Sequence, residues 1–229
     1  MDQQLRRCFL CIALVLAAAM AVAQTPGQGA APVAQAEPDT ITFSANRMES
    51  VIAKGKEKTI LIGKAVVNTG TMKIQAERIE LSGEDYNDVI CTGSVVVQDE
   101  GKGFLLKSAS LSYKRDTEIG LAQSSVVLED SKNSVILKAD WVRFDQKQSL
   151  VDARIGVQIL KEDFAVRAEF ARFNRDDESL RLSGQPVAVS ADGTVQADLI
   201  EGGTTLDSLS FSGRVSGSIT PKKKEGSSP

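Results

Sequence analysis

The sequence contains no histidine, and aromatic residues make up only 5% of its 229 residues. The absence of histidine excludes Ser-His-Asp and Cys-His nucleophile systems, histidine-ligated zinc and an imidazole switch near neutral pH. An enzyme of this composition would have to use carboxylates, lysine or a cofactor. Basic and acidic residues nearly balance, at 27 and 30, for a formal net charge of -3. We therefore expect no nucleic-acid partner, because the chain as a whole generates no cationic field.

Cysteine is also scarce, and two of the three cysteines, Cys8 and Cys11, lie in an apolar N-terminal stretch. That stretch follows two arginines and ends in Ala21-Val22-Ala23, which predicts a cleavable secretory signal over residues 1–23. The apolar part is shorter than the ~20 residues that cross a bilayer, although an uncleaved anchor is the alternative. The exported chain then keeps only Cys91, so no intramolecular disulfide can form. We expect Cys91 to be a small buried hydrophobic residue.

The segments that flank the central region have little complexity. Residues 24–38 contain three of the six prolines and are predicted to be a flexible leader. Residues 221–229 contain a run of three lysines and are predicted to be a disordered tail. The remaining residues, 39–220, are expected to form one domain.

An internal repeat of about 30 residues fills that domain. One series of related segments is centred on small residues at intervals of 31, 32, 31, 29 and 29, namely Ala45, Ala76, Ser108, Ala139, Ala168 and Ala197. A second series falls between them at intervals of 30, 30, 30, 31 and 29, and we align it on Gly63, Gly93, Gln123, Ala153, Gly184 and Gly213. Two series with the same period indicate a repeat architecture.

Each repeat has the pattern of two β-strands. Apolar residues recur at every second position in the second series, as in Val95 and Val97, which is typical of a strand with one buried face. In the first series the phase changes between Ala76 and Ile79, and such a slip requires a bulge or corner. A single rung cannot bury its apolar face alone, so neighbouring rungs must share one interior. The sequence predicts an all-β fold, an elongated β-jelly roll of stacked antiparallel strands built from about six ~30-residue repeats.

The repeat motifs resemble those of a known family. An A-[DE]-x-[ILMV]-x-[FL] element, as in residues 76–81 and 139–144, alternates with a G-x-[AV]-V element, as in residues 63–66 and 93–96. This alternation resembles the OstA-like family, which includes the periplasmic lipopolysaccharide-transport bridge LptA. The resemblance extends over residues 41–219, and the secretory signal agrees with it better than with an anchored relative.

The resemblance implies a periplasmic transport protein without catalytic activity or cofactor. It would shield the acyl chains of lipopolysaccharide or a related glycolipid in an apolar groove, and would bind homologous β-jelly-roll domains of inner- and outer-membrane components. The inward-facing candidates for lipid contact are Ile74, Ile79, Leu81, Val95, Val97, Leu106, Leu111, Leu137, Val142, Phe144, Val157, Ile159, Val166 and Phe173. Any β-sandwich needs such residues for its core, but the scarcity of large aromatics favours a slot that acyl chains could enter.

Three other functions remain open from the sequence. A structural or adhesive envelope β-solenoid would share the repeat and the signal, and a membrane-anchored LptC-like component would keep the signal as an anchor. A carbohydrate-active enzyme or a calcium site would need acidic residues that converge on one face. The acidic clusters lie in predicted turns, where solvated carboxylates are expected: Glu84, Asp85, Asp88, Asp176, Asp177 and Glu178.

Two further predictions concern the surface. The first rung, residues 41–50, and the last, residues 206–219, carry little edge protection apart from Arg214, so we expect head-to-tail association of copies or homologous domains there. Trp141 and Phe170 occupy equal positions two residues after the repeat alanine. They are expected either to stack on neighbouring rungs at the corner or to form an exposed contact patch.

Overall fold

The structure is a computed structural model, and it describes residues 42–53, 55–69, 72–101, 103–145, 147–162, 164–174 and 176–220. The predicted signal, leader and tail lie outside these ranges, and their bounds stay predictions. The described residues form a single sheet of sixteen strands. The strands are β1 (Thr42–Ser44), β2 (Arg47–Val51), β3 (Lys58–Thr69), β4 (Met72–Ser82), β5 (Asp88–Asp99), β6 (Phe104–Lys114), β7 (Ile119–Asp130), β8 (Val135–Asp145), β9 (Leu150–Lys161), β10 (Phe164–Asn174), β11 (Ser179–Ser183), β12 (Val187–Ser190), β13 (Gly193–Gln196), β14 (Leu199–Gly203), β15 (Leu209–Ser212) and β16 (Ser216–Ile219).

The strands stack in chain order. From β3 to β11 each strand pairs antiparallel with the next, in the order β3-β4-β5-β6-β7-β8-β9-β10-β11. The predicted all-β jelly roll of stacked antiparallel strands is confirmed. The only helical element among the described residues is a 3₁₀ turn, Glu84–Tyr86. Within these ranges there is no helix long and apolar enough to cross a membrane.

The short terminal strands show that the sheet is folded over along its length. At one end, β1 pairs with the second half of β3 and β2 pairs with the first half. At the other end, β12 and β11 pair with the two halves of β10 in the same way. Each long strand therefore contributes one half to each of two facing layers, and the apolar core lies between them.

Bulges in the middle of the long strands form the corner between the two layers. On β3 the register with β4 shifts between Ile62 and Ala65, where Gly63 and Lys64, both with positive φ, stand opposite a single residue of β4. The register of β5 shifts in the same way around Gly93. A bulge of this kind bends the strand and lets the apolar face continue inward on the other side of the corner. The slip in phase seen in the sequence is thus a structural corner, as predicted.

The sequence alignment of two repeats was wrong. The corner of β7 lies at Ser124 and Ser125, rather than Gln123, and the corner of β9 lies at Ile155 and Gly156, two residues beyond Ala153. Neither of these corners begins with glycine, as the corners at Gly63 and Gly93 do, so the alignment had no glycine at the first corner position to rest on. Two serines and an isoleucine adopt the left-handed conformation here, and Ile155, with φ of 66°, is β-branched and would ordinarily avoid it.

The recurring spacing of the two motifs has a physical cause at the corner. The acidic residue that follows the repeat alanine lies over the glycine of the next strand. A Cβ atom at Gly93 would lie 2.8 Å from Cβ of Glu77, and one at Gly184 would lie 2.6 Å from Cβ of Glu169. Glycine is required at these positions both for its positive φ and for the space that the acidic side chain occupies. The two motifs are therefore complementary parts of one corner.

Candidate functional site: the inner apolar face

The fourteen residues predicted to face inward all belong to one apolar core. Eleven of them are buried, and the other three, Ile74, Leu81 and Phe173, are partly buried and pack against the buried ones. Their placement on a shared inner face follows the period-two alternation on each side of the corner. Contact with lipid is a separate matter and stays a prediction.

The inner face is tightest beside the corner. In this region the side chains are small and almost fully inaccessible, as at Ala65, Ala153 and Val142, each of which is 0% exposed. Small side chains are needed because the two layers converge at the corner, where large ones would not pack. No room for an added acyl chain exists at these positions in the structure as it stands.

Exposure rises toward the ends of the strands, on the side that we call the mouth, opposite the corner. Partly buried apolar residues lie there at or next to the strand termini, including Val89, Phe104, Val135, Val151 and Phe164. The aromatic residues of the inner face are concentrated in this region rather than beside the corner. The side chains available to a ligand on the inner face are therefore those of the mouth.

An aromatic pair marks the centre of the mouth. Tyr113 on β6 and Phe144 on β8 both lie opposite Gly120 of the intervening strand. Their ring centroids are 6.4 Å apart and the rings are inclined by 22°. A Cβ atom at Gly120 would overlap the Phe144 ring. The absence of a side chain at residue 120 therefore lets the two rings approach each other across three strands.

The hydroxyl of Tyr113 is an exception within this apolar region. It is buried and has no hydrogen-bond partner among the residues that the structure describes. Burial, with a smaller contribution from the negative charge of Glu118, raises the pKa of Tyr113 to about 12, although Arg115 acts in the opposite direction. The sequence prediction missed Tyr113 because it considered aliphatic residues and phenylalanine. Its position two residues after Leu111, in the same phase, could have identified it.

Charged residues occupy the outer faces, where they form ion pairs. Glu80 on β4 is 2.6 Å from Lys58 and 2.8 Å from Arg78. Asp152 on β9 is 2.7 Å from Arg172 on β10, and hydrogen bonding to this carboxylate raises the pKa of Arg172. The Lys58–Glu80 and Arg172–Asp152 pairs join neighbouring strands on the outer faces of the stack.

Trp141 and Phe170 lie on the outside of the corner. Arg154 separates them in the sheet register, and its guanidinium lies 4.7 Å from the centroid of the Trp141 ring. Phe170 is half exposed. The two rings thus do not stack on each other; they belong to an exposed patch that Arg154 completes by a cation-π contact.

Potential reactive groups are not brought together. Cys91 is buried, as predicted, and burial raises its pKa to about 12. In the turn after β10, Asp177 is exposed and accepts a hydrogen bond from the side-chain amide of Asn174. Within the described ranges, no group of three or more cysteine, aspartate and glutamate side chains could hold a metal ion.

At both ends of the stack, apolar side chains whose register places them on the inner face are exposed. Phe43 and Met48 pair in register with the inward-facing Val67 and Leu61, yet each is at least 50% exposed. At the other end, Ile219 of β16 is 77% exposed. In the described chain, β1 and β2 pair only with β3, β15 only with β14 and β16 only with β13. As far as residues 42–220 are described, both ends of the apolar face are therefore uncovered and carry an unpaired strand edge.

Comparisons with known proteins add little. No family model matches the chain, and no curated protein matches it. Among solved structures it is similar to the crystal structure of LptH, the LptA homologous periplasmic component of the lipopolysaccharide transport device from Pseudomonas aeruginosa. That match has 12% identity and a TM-score of 0.29, and it covers 80% of this chain and 96% of the other. A TM-score this low does not establish a shared fold, so any functional argument depends on the residues of this chain.

Proposed function

We propose that this protein is a periplasmic lipid carrier of the OstA-like type. It shields the acyl chains of lipopolysaccharide or a related glycolipid against its inner apolar face and bridges components of the inner and outer membranes. The observation that supports this is the continuity of the apolar face, which extends along the whole stack, becomes accessible toward the mouth and stays uncovered at both ends. No catalytic step is part of the proposal.

The energetics of such binding favour the mouth over the corner. Each methylene moved from water to an apolar surface contributes ~0.8 kcal/mol, so even partial insertion of an acyl chain gives useful affinity. Entry beside Val142 and Ala153 would require the two layers to separate, because these residues are fully inaccessible. Entry between the mouth residues requires only that partly buried side chains move aside. We therefore place the acyl chain along the mouth, with its polar head group in water.

Association at the ends of the stack would make the apolar face continuous from one domain to the next. The exposed inward-phase residues Phe43 and Ile219 mark the contact surfaces, and the unpaired edges of the terminal strands supply hydrogen-bonding groups. Arg214 gives little protection against such pairing, because Asp198 accepts hydrogen bonds from its side chain and backbone. The partners would be copies of this chain or homologous jelly-roll domains.

A photo-crosslinking experiment tests the carrier function. A photoreactive amino acid at Phe144, in the mouth, should capture glycolipid in growing cells. The same amino acid at Ile90, which is 41% exposed on the outer face, is the matched control and should capture none. Capture of protein but never of lipid at residue 144 would contradict transport and would favour the structural or adhesive role.

Trp141 provides an independent readout of where lipid binds. It lies outside the corner, in contact with Arg154, and not on the inner face. Lipid that binds at the mouth should leave the tryptophan emission maximum unchanged, whereas lipid that binds at the corner patch should shift it. A blue shift on addition of glycolipid would contradict the proposed position of the acyl chain.

A further inference from the structure

The buried hydroxyl of Tyr113 points to a specific requirement on the ligand. We infer that this hydroxyl donates a hydrogen bond to an acceptor at the carboxyl end of a bound acyl chain, such as an ester, amide or hydroxyl oxygen. The inference rests on the proposed function and deepens it, because it selects linked acyl chains over plain hydrocarbon.

The first step is the cost of the hydroxyl as it stands. Its oxygen is inaccessible and has no hydrogen-bond partner among the described residues. A buried polar group without a partner destabilises the protein, and phenylalanine would occupy the same space without that cost. A ligand that brings an acceptor to this oxygen recovers the lost interaction, and pure hydrocarbon does not.

The second step is the position of the Tyr113 hydroxyl between the mouth and the corner. Tyr113 is the penultimate residue of β6, so it lies at the mouth, and Leu111 lies one inward position closer to the corner. Arg115 and Glu118, which both act on the Tyr113 hydroxyl electrostatically, show that charged groups begin just beyond it. A lipid whose head group is in water and whose tail lies against apolar residues has its linkage oxygen at this boundary.

The third step is geometry on the inner face. Gly120, directly opposite Tyr113 in the register, contributes no side chain between Tyr113 and Phe144. The Phe144 ring lies over Gly120, 6.4 Å from the Tyr113 ring, so an acyl chain enters between the two rings only when they move apart, and the hydroxyl then reaches its carbonyl end. Phe144 has no polar group, so only Tyr113 can distinguish the two kinds of ligand.

The test compares two probes of similar length that differ in the acceptor. Methyl tetradecanoate carries an ester carbonyl, and pentadecane carries none; both are delivered from cyclodextrin to the whole exported protein, and displacement of a bound naphthalene-sulfonate dye is measured. Tyr113→Phe should weaken binding of the ester by about fivefold and leave binding of the alkane unchanged, since one neutral hydrogen bond is lost. Tyr86→Phe, which alters the other tyrosine in the 3₁₀ turn, is the matched control and should change neither.

Infrared spectroscopy gives a readout that a packing role would not produce. The carbonyl stretch of ¹³C-labelled ester should lie at lower frequency when the ester is bound to the unmodified protein than when it is bound to Tyr113→Phe, and only the unmodified protein should shift it below the value in an apolar solvent. Two results would overturn the inference while leaving the carrier function intact. One is that Tyr113→Phe weakens binding of the ester and the alkane equally; the other is that it weakens neither binding of the ester nor the effect on its carbonyl frequency. Failure of both probes to displace the dye from the unmodified protein would contradict the carrier function as well.

Discussion

Individual residues determine which side chains the inner face presents. Gly120 is the clearest case, because a single methyl group there would overlap the Phe144 ring. The aromatic pair at the mouth exists only because the strand between its members has no side chain at that point. Elsewhere on the inner face, small residues such as Ala65 fill the narrow space beside the corner.

We expect Gly120→Ala to destabilise the fold by about 2 kcal/mol, because the added methyl group forces the Phe144 ring from its position. Urea denaturation followed by circular dichroism measures this change. Gly203→Ala is the matched control, since its nearest neighbouring atom would lie 3.7 Å from the new Cβ and its φ is not positive. It should change stability by less than about 0.5 kcal/mol. Equal effects of the two substitutions would contradict the role assigned to residue 120.

The inner face could be predicted from the sequence because alternation within each half-strand fixes which residues share a face. Residues such as Val95 and Ile159 were found in this way and are buried. The corner residues of β7 and β9 could not be placed, because serine and isoleucine give no signal of a left-handed backbone. Ile155 adopts that conformation only because the register of its neighbours requires a bulge there. Tertiary pairing decides such positions, and local propensity does not.

The strands are held to one another by ion pairs on their outer faces as well as by the backbone. Glu80 of β4 accepts hydrogen bonds from Lys58 of β3 and from Arg78 of its own strand, and these bonds lower the pKa of Glu80 below its usual value. A carboxyl group whose pKa is lower in the folded state stabilises the fold above its unfolded pKa. This contribution is lost as the pH falls through the folded pKa.

Glu80→Gln should therefore reduce the urea midpoint at pH 7 and reduce the difference between the midpoints at pH 7 and pH 3. The glutamine cannot carry the charge that Lys58 and Arg78 stabilise, so its stability no longer depends on protonation at this site. Glu84→Gln, at an exposed glutamate of the 3₁₀ turn, is the control and should leave both midpoints close to those of the unmodified protein. An unchanged pH dependence of stability in Glu80→Gln would show that the ion pairs of Glu80 with Lys58 and Arg78 do not contribute to stability.

At the level of elements, the sequence predicted most of the strand arrangement. The number of repeats, the two strands per repeat and the corner within the strands all follow from the spacing and phase of the motifs. The exception is the pairing of the terminal strands, where β13 and β16 join one layer and β14 and β15 join the other. Their short lengths, of four or five residues, give too little alternation to indicate which layer each one joins.

At the scale of the whole molecule, the open ends of the stack predict its association. Ile219→Lys places a charge on an exposed apolar position of the last strand, and Met48→Lys does so on the first rung. Either substitution should reduce self-association measured by static light scattering and weaken capture of homologous domains in pull-down, because a charge in an apolar contact is costly to bury. Ile90→Lys, on the outer face, is the control and should have no effect. Unchanged association in both end variants would contradict the head-to-tail arrangement.

The order of strands also fixes the length of the apolar face. Twelve strands follow one another along the main path of the sheet, and eleven steps of ~4.8 Å give an inner face about 50 Å long. The hydrocarbon of one bilayer leaflet is only ~15 Å thick, half of a ~30 Å core. Acyl chains lying lengthwise would thus occupy about a third of the face, so one copy has room for several lipids in single file. Under the proposed function, the number of lipids in transit would exceed the number of protein copies, and each lipid would advance only when the one ahead had moved on.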